Sequence, residues 1–246
     1  MELYGLIGYP LTHSFSKQYF TEKFIRENLS DCVYKTFAIE SITEFPAIMA
    51  QNSGLKGLSV TIPYKEQVLP YVTELSEEVK YIGATNSIKI SGNKLTAYNT
   101  DIVGFELSFL PLLKPHHKKA LVLGTGGASK AVQYVLKKLN ISFIIVSRNE
   151  NFDRGIISYE SISKEIINEY NIIINCTPAG MHPDKNTFPD IPYHLLNTNH
   201  YLFDLIYKPA KTIFLQKGEQ AGATIKNGYD MLIAQAEASW KIWNEK

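Results

Sequence analysis

The chain has 246 residues, 45% of them apolar and 20% charged, with a formal net charge of +1. That is an ordinary globular composition, with enough residues for two modest domains. The near-neutral charge argues against a nucleic-acid partner or an acidic membrane surface.

In chain order, residues 3–7, 33–38 and 57–62 read as extended, and residues 15–28 and 42–51 as helical. This alternation predicts an α/β domain with a mainly parallel sheet. Pro63 has no amide proton, so it ends the strand at Ile62, and the polar run after it reads as helical. Lys65 is then held just past a strand end, where an ammonium can serve a cleft as proton donor or acceptor. The alternative is a solvated lysine on the first turn of a surface helix. Residues 87–90 and 94–97 flank Ser91-Gly92-Asn93, a turn sequence, and predict a hairpin. Residues 114–119, with their proline and histidines, read as an exposed linker, which places a domain boundary between Asp101 and Lys118.

A second series begins there. Residues 120–123, 130–139 and 142–146 form a βαβ pattern, and further strands are expected at 172–175, 201–205 and 224–226. The polar segment 149–153 leaves little room for a long helix before Ile172. A final amphipathic helix, 230–243, is expected to pack back on the first domain. The predicted division is residues 1–100 joined by 230–246, and residues 101–229.

Cys32 and Cys176 read as two buried free thiols, consistent with a reducing cytoplasm. No basic leader precedes an apolar stretch, and no uninterrupted apolar window of about 18 residues occurs, so a membrane partner is not expected. The histidines, His13, His116, His117, His182, His194 and His200, lack metal-ligand spacing with cysteine or carboxylate, and no metal is predicted.

Gly124-Thr125-Gly126-Gly127-Ala128-Ser129 lies between a predicted strand and helix, where glycines let backbone amides and a helix N-terminus approach a pyrophosphate. Its last position is Ser129 where the dinucleotide fingerprint has glycine or alanine. The end of the next strand, Val146-Ser147-Arg148-Asn149, carries no carboxylate for a ribose and offers Arg148 to an extra phosphate, which favours NADP over NAD. A surface role for Arg148, with Glu150 or Asp153 turning back to the ribose, is the other reading.

Five blocks together are specific: Gly8-Tyr9-Pro10-Leu11-Thr12-His13-Ser14-Phe15-Ser16, Ser59-Val60-Thr61-Ile62-Pro63-Tyr64-Lys65, Gly83-Ala84-Thr85-Asn86-Ser87, Asn99-Thr100-Asp101-Ile102-Val103-Gly104-Phe105 and Asn175-Cys176-Thr177-Pro178-Ala179-Gly180-Met181. With Asp204-Leu205-Ile206-Tyr207-Lys208-Pro209 and the segment from Gly228 to Ala236, the chain resembles the shikimate dehydrogenases nearly end to end. The resemblance implies a substrate domain followed by a Rossmann-like NADP domain, and reversible NADPH-dependent reduction of 3-dehydroshikimate to shikimate. It implies Ser14, Ser16 and Tyr207 at the substrate carboxylate, and Thr61, Lys65, Asn86, Asp101 and Gln235 at its hydroxyls and reacting oxygen. Lys65 and Asp101 are the implied catalytic pair. Gly124, Thr125, Gly126, Gly127, Ala128, Ser147, Arg148, Asn149, Leu205 and Gly228 are implied at the cofactor. The strand end departs from the family's usual Asn-Arg-Thr, which bears on how the adenosine phosphate is held.

The chemistry fits these assignments: a hydroxylated acid needs short donors and acceptors, and a carboxylate beside an ammonium sets geometry and charge for proton transfer. Residue by residue, Ser14, Ser16 and Asp101 also read as helix caps, Asn86 as a turn residue and Tyr207 as a core phenol. Two rivals remain, a quinate-tolerant, NAD-preferring enzyme and a silent dinucleotide sensor, with Lys65 and Asp101 speaking against the second. The expected partner is a small molecule, without nucleic acid or membrane, for a cytoplasmic monomer or homodimer.

Overall fold

The computed structural model describes residues 1–11 and 14–245; Thr12 and His13, part of the first sequence block, lie outside the described residues. The chain forms two compact units, Met1–Thr100 with Ala236–Lys246, and Asp101–Gln235.

The first unit contains β1 (Glu2–Gly8), α1 (Phe15–Arg26), β2 (Cys32–Ala38), α2 (Phe45–Gln51), β3 (Leu55–Val60), β4 (Glu74–Leu75), α3 (Glu77–Ile82), β5 (Ser87–Ser91) and β6 (Lys94–Tyr98). The strands lie in the order β2-β1-β3-β5-β6-β4. β1 is parallel to both β2 and β3, whereas β5 is antiparallel to β3 and forms the expected hairpin with β6. β1 lies inside the sheet, between β2 and β3, and is buried from Leu3 to Gly8, so its sequence is a continuous apolar run and not an alternating one. One face packs through Leu3, Ile7, Phe45, Leu58, Val60 and Ile88. The other packs through Tyr4, Phe20, Phe24, Tyr34 and Trp243. Lys23, only 4% exposed, ties α1 to the last helix: its ammonium is 2.8 Å from Glu237 and 5.8 Å from the Trp240 ring.

Two expectations need correction here. No helix follows Pro63; residues 61–71 are turns with a short 3-10 helix at Leu69–Tyr71. Tyr64 and Val68 are both drawn into the core, and the Tyr64 hydroxyl donates to Ile39 O at 2.5 Å, so local burial overrides helix-forming composition. Both cysteines are free, but they are only partly buried; Cys32 opens β2, the sheet's edge strand.

The second unit contains α4 (Asp101–Phe109), β7 (Lys119–Leu123), α5 (Gly127–Lys138), β8 (Ser142–Val146), β9 (Ile156–Ile157), α6 (Lys164–Glu169), β10 (Ile172–Asn175), β11 (Tyr201–Asp204), α7 (Ile213–Gln220), β12 (Thr224–Lys226) and the first part of α8 (Tyr229–Asn244). All its strand pairs are parallel, in the order β9-β8-β7-β10-β11-β12. The chain starts in the middle at β7, runs outward through β8 and β9, then returns to β10 on the other side, the winding of dinucleotide-binding sheets. β10 and β11 are buried at every residue, so Ile172-Ile173-Ile174 and Tyr201-Leu202-Phe203 read as solid apolar runs. Beyond the helix-cap reading of Asp101, α4 was not among the predicted elements. Ile102, Phe105 and Phe109 are buried while Val103 and Leu107 are exposed, so apolar residues surround the helix and erase its periodicity.

Candidate active site

In the first unit the chain changes direction across the sheet between β1 and β3, and crevices open at the carboxyl ends of strands at such points. The loop after β1 ends at Ser14, with Ser16 in the first turn of α1, the loop after β3 carries Thr61 and Lys65, and Asn86 sits just ahead of β5. Backbone bonds draw these segments together: Thr61 N–H to Ile7 O at 3.0 Å, Tyr9 N–H to Ile62 O at 3.1 Å, Val60 N–H to Asn86 O at 2.8 Å and Thr85 N–H to Lys65 O at 2.8 Å. These five predicted residues therefore share one end of one sheet.

Each side chain there has a local reason for its pose. Ser14 caps α1, its Oγ accepting the Lys17 N–H at 3.2 Å, which leaves its proton for another acceptor. Ser16 is hydrogen-bonded to the Tyr34 phenol, which donates to Ser59 Oγ at 2.9 Å. Burial pushes the Tyr34 pKa well above its usual value, so the phenol stays a donor. Asn86 is buried, and its amide orientation follows from Thr100: Oδ1 accepts the Thr100 N–H at 2.7 Å and Nδ2 donates to Thr100 Oγ1 at 3.0 Å.

Asp101, Tyr207 and Gln235 belong to the second unit. Asp101 is the first residue of α4, where a carboxylate suits the helix dipole, and is buried. One turn on, Gly104 lets α8 approach; a Cβ there would lie 2.5 Å from Met231 O and 3.0 Å from Gln235 Cβ. Asp101 and Gln235 thus lie on two helices in close contact. Tyr207 is half-buried beyond β11, and burial raises its pKa, so it too is a neutral donor.

The glycine loop lies between β7 and α5, beside the switch point of the second sheet. Gly124 has φ +104°, a left-handed backbone that glycine adopts without strain. Ser129, where the fingerprint wants a small residue, is fully buried and turned inward: its Oγ donates to Gly124 O at 2.7 Å and accepts from Gln133 Nε2 at 3.0 Å. The serine staples the loop closed. Gly126 caps α5 with no side-chain bond, and nothing lies within 4 Å of where its Cβ would be, so the helix N-terminus presents amides to an open space suited to an anion. Ser147, Arg148 and Asn149 follow β8, with Arg148 exposed and no carboxylate at the strand end. Leu205 and Gly228 meet directly, since a Cβ on Gly228 would lie 2.1 Å from Leu205 O. This donor set fits a dinucleotide with an additional phosphate.

Sequence reading assigned no role to Asn175, Asp204 or Thr212, which form a buried polar cluster at the ends of β10 and β11. Burial pushes the Asp204 carboxyl up to about 6, outweighing the hydrogen bonds from Thr212, Ile206 and Asn175 that pull it down. The available signal was an acid closing the otherwise apolar strand Tyr201-Leu202-Phe203-Asp204.

Residues 6–88 match the family described as shikimate dehydrogenase substrate binding domain. The shikimate dehydrogenase (NADP(+)) of Staphylococcus haemolyticus is 38% identical to this chain, over 99% of this chain and 92% of that protein. The crystal structure of shikimate dehydrogenase 1 from Peptoclostridium difficile is similar with a TM-score of 0.84 at 35% identity, covering 99% of this chain and 91% of that one. The shikimate 5-dehydrogenase of Listeria monocytogenes, solved with shikimate and NAD, gives a TM-score of 0.89 at 26% identity, with 100% and 92% coverage. Similarity of this extent in sequence and in fold spans both units, and the chain belongs to the shikimate dehydrogenase family.

Proposed function

We propose that the chain catalyses the reversible NADPH-dependent reduction of 3-dehydroshikimate to shikimate, a step of aromatic amino-acid biosynthesis. The observation that carries this reading is the convergence of Ser14, Ser16, Thr61, Lys65 and Asn86 on one sheet end, in a chain similar over nearly its whole length to NADP(+)-dependent shikimate dehydrogenases. In this reading the first unit holds the substrate and the second the cofactor, in a cytoplasmic monomer or homodimer.

Ser14, Ser16 and Tyr207 hold the substrate carboxylate through hydroxyl donors. Thr61, Asn86 and Gln235 orient the ring hydroxyls, which fixes the face on which reaction occurs. Gly124, Thr125, Gly126, Gly127 and Ala128 hold the pyrophosphate at the start of α5, Ser147, Arg148 and Asn149 hold the adenosine phosphate, and Leu205 and Gly228 border the nicotinamide end. NADPH, when bound, supplies the hydride. Lys65 Nζ delivers a proton to the carbonyl oxygen in reduction and recovers it in oxidation, and the Asp101 carboxylate accepts from a substrate hydroxyl.

The test is steady-state oxidation of shikimate with NADP, followed by the absorbance of the reduced nicotinamide, beside quinate and NAD controls. Preference for shikimate and NADP is the expected result. Preference for quinate with NAD would reassign substrate and cofactor, and no turnover with any pair would leave only a binding protein.

A further inference from the structure

Asp204 is fully buried at the end of β11, and its hydrogen-bond partners are all neutral donors. Oδ1 accepts the Ile206 N–H and the Asn175 side-chain amide, each at 3.0 Å, while Oδ2 accepts the Thr212 hydroxyl at 2.5 Å. The direction of that last bond follows from the helix. Thr212 caps α7, its Oγ1 taking the Leu215 N–H at 3.4 Å, so its proton is left for Asp204. Three donors facing two oxygens call for an ionised carboxylate, a group that is costly to bury and that packing alone would not select.

The bonds lead to two turns. Asn175, held by Asp204, winds the first around itself: its Oδ1 accepts the Thr177 N–H at 3.0 Å and the Thr177 hydroxyl at 2.6 Å, and Thr177 Oγ1 accepts the Ala179 N–H at 3.2 Å. This turn borders the glycine loop, with Cys176 N–H bonded to Leu123 O at 2.9 Å and a Cβ at Gly124 only 3.1 Å from Thr177 Cγ2. The second turn contains Leu205 and Tyr207. Its Ile206 N–H is held by Asp204, and its Ile206 O accepts the Gly228 N–H at 3.1 Å.

We propose that Asp204 is a positioning residue which, through Asn175 and the Ile206 amide, sets both the turn beside the glycine loop and the turn carrying Leu205 and Tyr207. The functional consequence rests on the dehydrogenase reading, in which these turns meet cofactor and substrate. Asp204 touches neither. The Asp204 charge acts on two titratable groups, Cys176 and Tyr193; desolvation, and then that charge, raises both pKa values, leaving both neutral.

The experiment compares wild type with Asp204→Asn, which keeps the shape and removes the charge. Amide hydrogen exchange should accelerate about tenfold or more at residues 176–180 and 205–207 while the β7 and β8 amides keep their wild-type rates, as expected for loss of charge-assisted bonds in one cluster. The NADP dissociation constant, measured by calorimetry, and the shikimate KM should each rise roughly tenfold, with kcat within about twofold. Wild-type exchange in both turns, uniform acceleration across the sheet, or unchanged affinity for both molecules would each overturn the proposal. If Asp204→Asn does not fold, Thr212→Val removes the Oδ2 partner together with the α7 cap; the same turns should then loosen about threefold, and unaltered exchange there overturns it. A wild type inactive with shikimate and NADP would defeat the dehydrogenase reading alone, because the exchange pattern and the NADP affinity still decide what Asp204 does.

Discussion

The two sheets place opposite chemistry at equivalent topological positions. Beyond β1 and β3, the proposed recognition is by side chains: Ser14, Ser16, Thr61, Lys65 and Asn86, several of them fixed by neighbours such as Lys17, Tyr34 and Thr100. Beyond β7, it is by main chain: Gly124 with its left-handed φ, and the uncapped start of α5 at Gly126. The difference suits what each region is proposed to bind. A hydroxylated ring acid presents oxygens in a particular stereochemical array, which individually aimed donors and acceptors can read. A pyrophosphate presents charge and little shape, which amides and a helix dipole satisfy. Changes in the first region should therefore fall on substrate terms and turnover, and changes in the second on cofactor terms.

The largest test of that division is Lys65→Ala. Loss of a positioned acid or base should lower kcat by about 100- to 10,000-fold while leaving NADP affinity intact, in a protein whose fold is verified by circular dichroism. Lys65→Arg should not restore turnover, since a guanidinium keeps charge but does not release a proton near neutral pH. Near-normal turnover of the arginine variant would reduce Lys65 to a binding group.

The double change Ser14→Ala with Ser16→Ala should raise the shikimate KM about tenfold or more and spare that of NADP, as two hydrogen bonds to a carboxylate are lost. Ser14 also caps α1, so about 1 kcal/mol of stability should go with it. Ser76→Ala removes the cap of α3 and is the control: comparable destabilisation without a KM change. If both variants shift KM alike, the effect belongs to stability and not to the carboxylate.

On the cofactor side, Arg148→Ser should lower the ratio of kcat/KM for NADP to that for NAD by roughly tenfold, because only NADP carries the phosphate a guanidinium grips in two places. The shikimate KM should stay where it was. An unmoved ratio would assign the phosphate to another cation.

The smallest effect is expected at the opposite end of the strands of the second sheet, ahead of their first residues. His117, just ahead of β7, accepts the Lys114 N–H on Nδ1 at 3.0 Å, so Nε2 carries the proton and donates to Asn199 O at 3.0 Å. Burial lowers its pKa. The unfolded ring titrates near about 6.5, so the folded state resists a proton that the unfolded state accepts. Its contribution is whole above about pH 6.5 and erodes as pH falls below it. Melting temperature should drop by a few degrees more between neutral and mildly acid pH in wild type than in His117→Gln, with neither KM altered. An equal slope in both proteins would remove His117 from the acid response.

Much of this was legible in sequence because it is local. The hairpin at Gly92-Asn93 follows from turn chemistry, and residues 224–226 and 172–175 from short apolar runs with polar ends. The glycine loop is legible because strand, glycines and helix are contiguous. Segments whose structure depends on distant partners were not. Residues 64–68 look helical until Tyr64 and Val68 are seen in the core, and α4 shows no amphipathic stripe because nearly every side of it is apolar.

The sequence by itself determined the alternation of strands and helices, the phosphate-binding turn and the inventory of hydroxyl, amide and ionisable residues, since each depends on neighbours a few positions away. Tertiary structure alone decided that the strand order reverses beside β1 and beside β7, which puts the loops after them where crevices open at the carboxyl ends of the strands. It also decided that Ser129 closes the glycine loop and that Asp204 joins two turns by way of Asn175 and Ile206. The bond from Asp204 to Asn175 spans 29 positions, and only the packing of β10 against β11 brings the two side chains within reach.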